Sequence, residues 1–143
     1  MAWNEHNYVI AWNDESKDPK VIYAAVVEPN GTVSTPATQI SSPSNARSRS
    51  PTLKALGNRI LAVYQDNRDG NQNYELYARM VTAELLPLTG EQRLTFWPKD
   101  STSPIATFGS EGNVGVLFQD YDQSSLQQQV FFTRLGCVAG SGP

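Results

Sequence analysis

The sequence has few of the side chains from which most catalytic and metal sites are built. It contains one cysteine, Cys137, and one histidine, His6, in 143 residues. Cys137 cannot form an internal disulfide, and the sequence around it lacks the motif context of a cysteine nucleophile. His6 lies in a predicted turn, and one histidine cannot supply a Ser-His-Asp triad or a histidine metal cluster. We therefore interpret both residues as incidental to function.

Strong charge and long apolar runs are also missing. The net charge of −3 and the isoelectric point near 5.0 give no basic surface, so nucleic acid is not a predicted partner. No stretch approaches the roughly 18 apolar residues of a membrane helix, so no membrane span is predicted. The N-terminal residues 1–6 lack the charged and apolar regions of a signal peptide. Sustained helical periodicity is absent as well, because Pro, Gly or polar residues interrupt every window.

The amino-acid composition is typical of a turn-rich β protein. Hydrophobic residues make up 39% of the chain, charged residues 17%, and there are 10 Gly and 9 Pro. Short runs of β-branched, apolar and aromatic residues alternate with clusters of Gly, Pro, Asn, Asp and Ser, which is the pattern of strands and turns. A chain of this length fits one domain with a core. The sequence predicts an all-β fold.

A repeat of roughly 53 residues runs through the chain. Its first landmark is a triplet in which an aromatic residue is followed two positions later by Asp, at spacings of 52 and 54 residues. A Ser-Pro pair recurs once at a spacing of 53 residues, and an aromatic residue in the next strand recurs twice at a spacing of 54. The landmarks are the triplets Trp12–Asp14, Tyr64–Asp66 and Phe118–Asp120, the pairs Ser50-Pro51 and Ser103-Pro104, and the aromatics Tyr23, Tyr77 and Phe131. A fixed period of this size, with about four short strands per unit, is typical of propeller blades.

Each repeat predicts an order of strands. An inner strand begins at Ser-Pro, where proline is tolerated at the first residue. A central strand then ends at the aromatic-x-Asp triplet, a third strand carries the Tyr or Phe, and an outer strand follows, as in residues 91–95. The apolar run Ile60–Tyr64 is predicted to be buried on both faces between neighbouring sheets, and Trp12 is predicted to lie in the core. Counting strands by these rules predicts three, four and three in the successive repeats.

The repeats resemble a family of bacterial β-propeller repeats, whose consensus is Ser-Pro, a Gly turn, an apolar strand ending Trp-x-Asp-x-Arg-x-Gly, and a strand beginning around a Tyr. Ser50-Pro51, Gly57, Tyr64–Gly70 and Tyr77 carry the likeness here. The resemblance implies a β-propeller, loosely similar to those of sialidases, and a bacterial extracellular or cell-envelope protein. The Ser-x-Asp-x-Gly-x-Thr-Trp box of sialidases is absent, so the resemblance supports a fold more than an activity.

Three blades do not close a propeller, which needs about four to eight. We expect blades at about residues 1–42, 43–95 and 96–136, within a propeller unit of residues 1–138, and a flexible tail at 139–143. Either the chain is a fragment of a larger propeller, or copies assemble to cover the apolar faces and strand edges. We favour a homodimer with six blades, because two-fold symmetry is the commonest solution.

The polar turn Asp66–Glu75 is dense in oxygen ligands. Asp66, Asp69 and Asn71 are candidate ligands for Ca²⁺, the only cofactor that the sequence suggests. The other interpretation is an Asx-rich turn in which Asp66 caps the hairpin. The repeat-equivalent Asp14, Asp66 and Asp120 likewise have a structural interpretation beside a catalytic one.

The candidate ligand-binding residues are Trp97 and Tyr121 in predicted loops, together with Arg68 and Asp69 in the polar turn. The aromatic rings could stack on sugars, although packing between subunits explains Trp97 and Tyr121 equally well. The sequence favours a non-catalytic binding module for a glycan or a protein. The alternatives are a propeller glycoside hydrolase completed by other blades, with Asp66, Asp69, Asp120 and Asp122 as its carboxylates, and a purely structural repeat that serves to assemble.

Overall fold

A computed structural model describes residues 1–16, 18–43, 45–70, 73–109, 112–122 and 126–136. Every named element in these ranges is a β-strand. The eleven strands are β1 (Ala2–Trp3), β2 (Tyr8–Asn13), β3 (Ile22–Val27), β4 (Val33–Gln39), β5 (Ser48–Leu56), β6 (Arg59–Asp66), β7 (Glu75–Thr82), β8 (Gln92–Arg93), β9 (Thr102–Phe108), β10 (Val114–Asp122) and β11 (Gln127–Leu135). The described residues contain no helix that is long and apolar enough to cross a membrane.

The strands form three antiparallel sheets in which neighbours in space are neighbours in sequence. Sheet 1 is β1-β2-β3-β4, sheet 2 is β5-β6-β7-β8, and sheet 3 is β9-β10-β11. The prediction of an all-β chain of repeated sheets is confirmed. The expected count of three strands in the first repeat is wrong, because Ala2–Trp3 pairs with Tyr8 and Val9 as a fourth strand. Two residues are too few to give a strand signal in a sequence.

Sheet 2 lies between the other two sheets, and β6 is buried on both sides as predicted. Alternate residues of a strand point to opposite faces, so Ile60, Ala62 and Tyr64 pack with sheet 1, whereas Leu61 and Val63 pack with sheet 3. All five are at most 3% exposed. Burying a large apolar side chain stabilises a fold by about 1.5–3 kcal/mol, so β6 joins two cores into one body.

The Ser-Pro pairs are not strand starts as predicted, since each lies inside a strand at a β-bulge. In sheet 2, Arg49 pairs with Gln65 and Thr52 with Val63, so Ser50 and Pro51 together oppose one residue, Tyr64. The same two-against-one shift in sheet 3 sets Ser103 and Pro104 against Phe118. Both serines have positive φ, 51° and 53°. A bulge leaves one residue unpaired, which suits proline because it has no N–H to donate.

Two other predicted segments have different bounds. The outer strand expected at residues 91–95 is reduced to Gln92–Arg93, because the Thr95 side chain replaces the backbone as the acceptor for the Leu76 N–H. The polar turn expected at residues 119–129 is shorter, because the ladder continues to the pair Asp122 and Gln127. Backbone pairing in this hairpin therefore extends into a polar sequence that carries no strand signal.

Candidate functional site

The Asp residues of the repeat lie at one end of the sheets, which we call the Asp end. It is the end at which β2, β6 and β10 finish and β5, β7 and β9 begin. Backbone hydrogen bonds join the sheets there: Ser48 N–H donates to the Lys20 carbonyl at 2.8 Å, and Ser101 N–H to the Tyr74 carbonyl at 2.7 Å. The Asp end therefore brings together side chains from all three repeats.

Asp66 is a fully buried structural carboxylate. Ser48 Oγ donates to its Oδ2 at 2.7 Å, and the Arg68 backbone N–H donates to its Oδ1 at 2.9 Å. The Arg68 guanidinium adds bonds of 2.9 and 2.8 Å to the two oxygens. Such charge-assisted bonds are stronger than neutral ones. Asp66 thus ties β5 to β6 and fixes the start of the turn.

Asp120 repeats this geometry without the cation. It is fully buried, Ser101 Oγ donates to its Oδ2, and the Tyr121 N–H donates to Oδ1 at 2.6 Å. Within the described residues it has no salt bridge. Burial raises the pKa of Asp120 above its ordinary value, against the opposing effect of the Ser101 hydrogen bond.

Arg68 also reaches Glu91, which lies at the outer rim of sheet 2. The guanidinium donates to one Glu91 oxygen, the Tyr64 hydroxyl donates to the other, and the Ser42 N–H adds a bond of 2.6 Å. Burial acts to raise the Glu91 pKa, but the bonds from Arg68 and Tyr64 outweigh it and hold the pKa below its ordinary value. Burial is also the main reason that the pKa of Tyr64 is raised.

Asp69 and Glu75 belong to a second branch of this network. The Tyr77 hydroxyl donates to Asp69, and Arg93 bridges Asp69 at 3.1 Å and Glu75 at 2.8 Å. Glu75 also accepts from Thr95 and, at 3.4 Å, from Ser101 in the neighbouring sheet. Burial raises the pKa of the Tyr77 hydroxyl. Every buried side-chain nitrogen or oxygen in the described part of the chain has a hydrogen-bond partner, so this network is internally satisfied.

The two predicted Ca²⁺ ligands that the structure describes, Asp66 and Asp69, each have protein partners. Asp66 is bound by Ser48 and Arg68, whereas Asp69 is bound by Tyr77 and Arg93. Asn71 lies outside the described residues. Among the residues that are described, no three Asp, Glu, His or Cys side chains form a group that could hold a metal ion.

An open cavity at the Asp end is the candidate ligand site. Its volume is about 400 Å³, and it is lined by residues of three segments that meet between sheets 2 and 3: Asn73, Lys99, Asp100, Tyr121 and Gln128. It therefore presents two amides, an ammonium, a carboxylate and a phenol. We call these five residues the Asp-end cavity.

Neighbouring contacts hold the Asp-end cavity in shape. The Tyr74 N–H donates to Asp100 Oδ1 at 2.8 Å, and Arg49 lies 3.7 Å from its Oδ2. The Arg49 guanidinium stacks on the Tyr74 ring, 3.5 Å from its centroid. Asn73 donates to the Pro98 carbonyl at 2.6 Å. The bulged strand β5 thus supplies the arginine that orients the carboxylate.

A larger cavity, of about 540 Å³, lies at the opposite end of sheets 1 and 2. Its lining consists of Asn4, His6, Asn7, Gly57, Asn58, Ala83 and Glu84. Aromatic faces and a few fixed polar groups are the usual means of orienting a ligand. This lining holds neither a phenol nor an indole ring, and we therefore consider the Asp-end cavity the better candidate.

Comparison with known proteins gives one informative match. No family model matches the sequence, and no curated protein matches it. Among solved structures, an endo-arabinase from Bacteroides thetaiotaomicron is similar with a TM-score of 0.62 and 12% identity over 94% of this chain. The sheets of the chain have the fold of β-propeller blades. The propeller prediction is confirmed at this level, and the chain spans 53% of that neighbour's length.

The structure places one of the four predicted ligand residues in the Asp-end cavity, namely Tyr121. Trp97 packs on Phe131, with ring centroids 5.0 Å apart. Arg68 lines a separate cavity of about 270 Å³ with Asn45, Ala46 and Asn67, and Asp69 belongs to the internal network.

Sequence reasoning missed the other four cavity residues, Asn73, Lys99, Asp100 and Gln128. The available signal was a difference in sequence between two connections that occupy equivalent places in the repeat. The connection before Ser50-Pro51 is rich in Ser, whereas the connection before Ser103-Pro104 contains Phe-Trp-Pro-Lys-Asp at 96–100. Loops that depart from a repeat are where propellers and other scaffolds carry function.

Proposed function

We propose that the chain is a non-catalytic binding module of the bacterial β-propeller repeat type and that its Asp-end cavity binds carbohydrate. The observation that carries the proposal is the lining of that cavity, in which a phenol, two amides, a carboxylate and an ammonium surround about 400 Å³. A sugar carries hydroxyl groups around the edge of its ring, and its C–H groups form an apolar face. A site for sugars needs donors and acceptors beside a flat apolar surface.

The chemistry of the lining matches that need. Asn73 and Gln128 each offer a donor and an acceptor, Asp100 offers acceptors, and Lys99 offers donors. Tyr121 supplies a ring and a hydroxyl. In the free protein, water forms hydrogen bonds with the same groups, so binding exchanges protein–water bonds for protein–sugar bonds. We therefore expect a modest affinity for sugar, which depends on the fit of its shape and on the number of hydrogen bonds exchanged.

Pre-organisation also supports the proposal. Asp100 is held by the Tyr74 N–H at 2.8 Å and by Arg49 at 3.7 Å, and Arg49 is itself stacked on Tyr74. A carboxylate that is already oriented loses less conformational entropy when a ligand binds. The similarity to a carbohydrate-cleaving enzyme, the endo-arabinase, is further support for a carbohydrate ligand.

The test is an array of oligosaccharides that includes arabinose-containing ones, followed by calorimetric titration of any hit. Gln128→Ala and Gln127→Ala form a matched pair, because they are adjacent and exposed and only Gln128 lines the cavity. We expect Gln128→Ala to weaken binding by about 3- to 10-fold, the value of one hydrogen bond, and Gln127→Ala to leave it unchanged. An equal effect of both changes, or silence of the whole array, would contradict the proposal.

A second candidate function is the catalytic one, a propeller glycoside hydrolase whose active centre other blades complete. The observation in its favour is Asp100, which lines the cavity and whose side chain is 42% exposed. Hydrolysis needs a second carboxyl group about 5–9 Å away across the glycosidic bond. Release of reducing ends from an oligosaccharide that binds, abolished by Asp100→Asn, would favour the hydrolase over the binding module.

A further inference from the structure

Among the residues that the structure describes, the two outer sheets each have one apolar face that no other sheet covers. The faces are defined by the repeat register, in which the positions of sheet 2 have equivalents 52 to 54 residues before and after them in the sequence. Because sheet 2 is covered on both sides, it shows what each equivalent position contacts when a neighbouring sheet is present.

The open face of sheet 3 is the equivalent of the sheet 2 face that sheet 3 itself covers. Val63, Leu76 and Ala78 of sheet 2 are at most 4% exposed in that interface. Their equivalents 54 residues later are Leu117, Val130 and Phe132, which are 46%, 68% and 64% exposed. The Phe132 ring lies against Gly115, since a Cβ placed on Gly115 would be only 2.9 Å from the ring. We call these three residues and Gly115 the trailing face.

The open face of sheet 1 is the equivalent of the opposite side of sheet 2. Ile60, Ala62, Tyr64 and Tyr77 of sheet 2 are buried against sheet 1. Their equivalents in sheet 1 are Tyr8, Ile10, Trp12 and Tyr23, of which the first three are 36–38% exposed. Trp12 stacks on Tyr23 with centroids 6.3 Å apart. We call these four residues the leading face. The prediction that Trp12 lies in the core is wrong for the described residues, because Trp12 is 36% exposed and none of the three sheets covers it.

We propose that the leading face of one copy of this chain packs against the trailing face of a second copy, and that the two copies close a ring of six blades around a two-fold axis. Two such contacts form in the pair, one on each side of the ring. Each reproduces the way in which sheet 1 meets sheet 2 and sheet 2 meets sheet 3 within the chain.

The occupant is a second copy because the two faces are complementary to each other and neither is complementary to itself. In both internal interfaces, a leading face of the kind that holds Tyr64 meets a trailing face of the kind that holds Val63. Two leading faces would set aromatic residues against aromatic residues, an arrangement that neither internal interface uses. The chain also spans 53% of the matched propeller, so two copies contain the length of one.

In a closed pair, the leading and trailing faces of both copies are removed from water. Six blades fall within the range of about four to eight at which propellers close. A head-to-tail contact that does not close generates open chains. A two-fold ring uses both faces of both copies and leaves no sheet face free.

The test is the mass in solution by light scattering over a concentration series of three variants. Ile10→Asp alters the leading face, Leu117→Asp alters the trailing face, and Leu86→Asp is the control, because Leu86 is 63% exposed and belongs to neither face. We expect the unaltered chain and the control to have the mass of two copies. Each face variant should weaken association at least about tenfold, since a buried unpaired carboxylate is costly. Circular dichroism checks that each variant retains the β fold.

Mixing the two face variants decides between head-to-tail and like-to-like contacts. An Ile10→Asp copy keeps its trailing face, and a Leu117→Asp copy keeps its leading face, so the mixture should regain one intact interface and form mixed pairs. Association of the mixture above that of either variant alone is the expected result. A monomer at all concentrations for the unaltered chain, masses that keep growing beyond two copies, or a mixture that stays monomeric would each overturn the proposal.

Discussion

At the scale of single residues, Asp66 and Asp120 show that a repeat position does not determine a residue's electrostatics. Both are fully buried. Asp66 accepts a hydrogen bond from Ser48, the first residue of β5, and Asp120 accepts one from Ser101, which immediately precedes β9. Two positions later, however, the repeat has Arg68 in one copy and Asp122 in the other. Asp66 therefore has a cation partner, whereas the pKa of Asp120 is raised by burial.

Substitution by asparagine should separate the two aspartates. Asp66→Asn removes charge-assisted bonds to Arg68 and should lower the free energy of unfolding by about 1–3 kcal/mol. Asp120→Asn removes the cost of burying a charge. Its amide can donate to Ser101 Oγ, whose own proton can turn to Glu75 at 3.4 Å. We expect stability to stay within about 0.5 kcal/mol or to rise.

Urea unfolding at neutral and acid pH checks this pair. A raised folded-state pKa means that the Asp120 charge costs stability at neutral pH and not below the ordinary aspartate pKa of about 3.9. Any gain from Asp120→Asn should therefore disappear at about pH 3. Equal destabilisation of both variants at neutral pH would contradict the assignment.

Glu91 has the opposite pH dependence. Its folded-state pKa is lowered, because the bonds from Arg68 and Tyr64 outweigh the effect of burial. Its contribution is therefore complete above the ordinary glutamate pKa of about 4.3 and is lost as the pH falls through the lowered folded-state value. We expect Glu91→Gln to reduce the free energy of unfolding more at pH 6 than at about pH 2–3, as measured by urea titration. A gap of the same size at both pH values would show that the charge is not involved.

At the scale of elements, the Ser-Pro bulge is the device that gives each inner strand its geometry. Ser50 and Ser103 adopt the left-handed region at φ 51° and 53°, and each bulge sets two residues against the aromatic of the next strand. In sheet 2 the bulge immediately follows Arg49, which stacks on Tyr74 and orients Asp100. The bulged strand β5 thus places Arg49 beside Asp100, one of the residues of the Asp-end cavity.

Substitutions at Ser50 should depend on tolerance of positive φ. A β-branched residue is strained there, so Ser50→Val should lower the free energy of unfolding by about 1–2 kcal/mol. Ser50→Gly should leave it equal or raise it slightly, because glycine adopts this conformation freely. Thr52→Val is the control, since Thr52 resumes regular pairing with Val63. Equal thermal stability of the Ser50→Val and Ser50→Gly variants would refute a role for backbone strain.

Strands were the elements that the sequence predicted best. The run Ile60–Tyr64 is predicted to be buried on both faces, and it is, because its period is local and continuous. The bulge was mistaken for a strand start, since proline is compatible with both and only the register of the partner strand distinguishes them. The shortened outer strand was missed because a side chain, Thr95 Oγ1, replaces a backbone acceptor.

At the scale of the whole molecule, burial depends on the presence of a neighbouring sheet. Leu76 and Val130 occupy equivalent positions in sheets 2 and 3, yet Leu76 is fully buried and Val130 is 68% exposed. The same repeat position therefore contributes to a core in one sheet and to an open face in the other.

Truncation of this pair to alanine should show the difference. Leu76→Ala should lower the free energy of unfolding by about 2–5 kcal/mol, the usual effect of a core truncation. Val130→Ala, made together with Leu117→Asp so that association does not contribute, should stay within about 0.5 kcal/mol of the Leu117→Asp protein. Guanidinium unfolding measures both. A large loss for Val130→Ala in that background would mean that its face is covered within the single chain.

The candidate site is the part that depended most on tertiary structure. Tyr121 was predicted as a ligand residue and lines the Asp-end cavity. Asn73 lies in the connection before β7, Lys99 and Asp100 lie in the connection before β9, and Gln128 lies in β11. These segments come together only when sheet 3 packs on sheet 2. Arg68 and Asp69, which look available in a polar turn, are engaged by Glu91, Tyr77 and Arg93.

The sequence by itself determined the all-β class, the period of the repeat and the burial of β6, because these depend on alternation and turn residues within a few positions of each other. Tertiary structure alone decided which polar residues surround a cavity and which apolar faces stay open. Those properties depend on distances between residues that are far apart in the sequence, such as Ser48 and Asp66, 18 positions apart, and Ser42 and Glu91, 49 positions apart. Packing of one sheet on the next, rather than local preference, sets those distances.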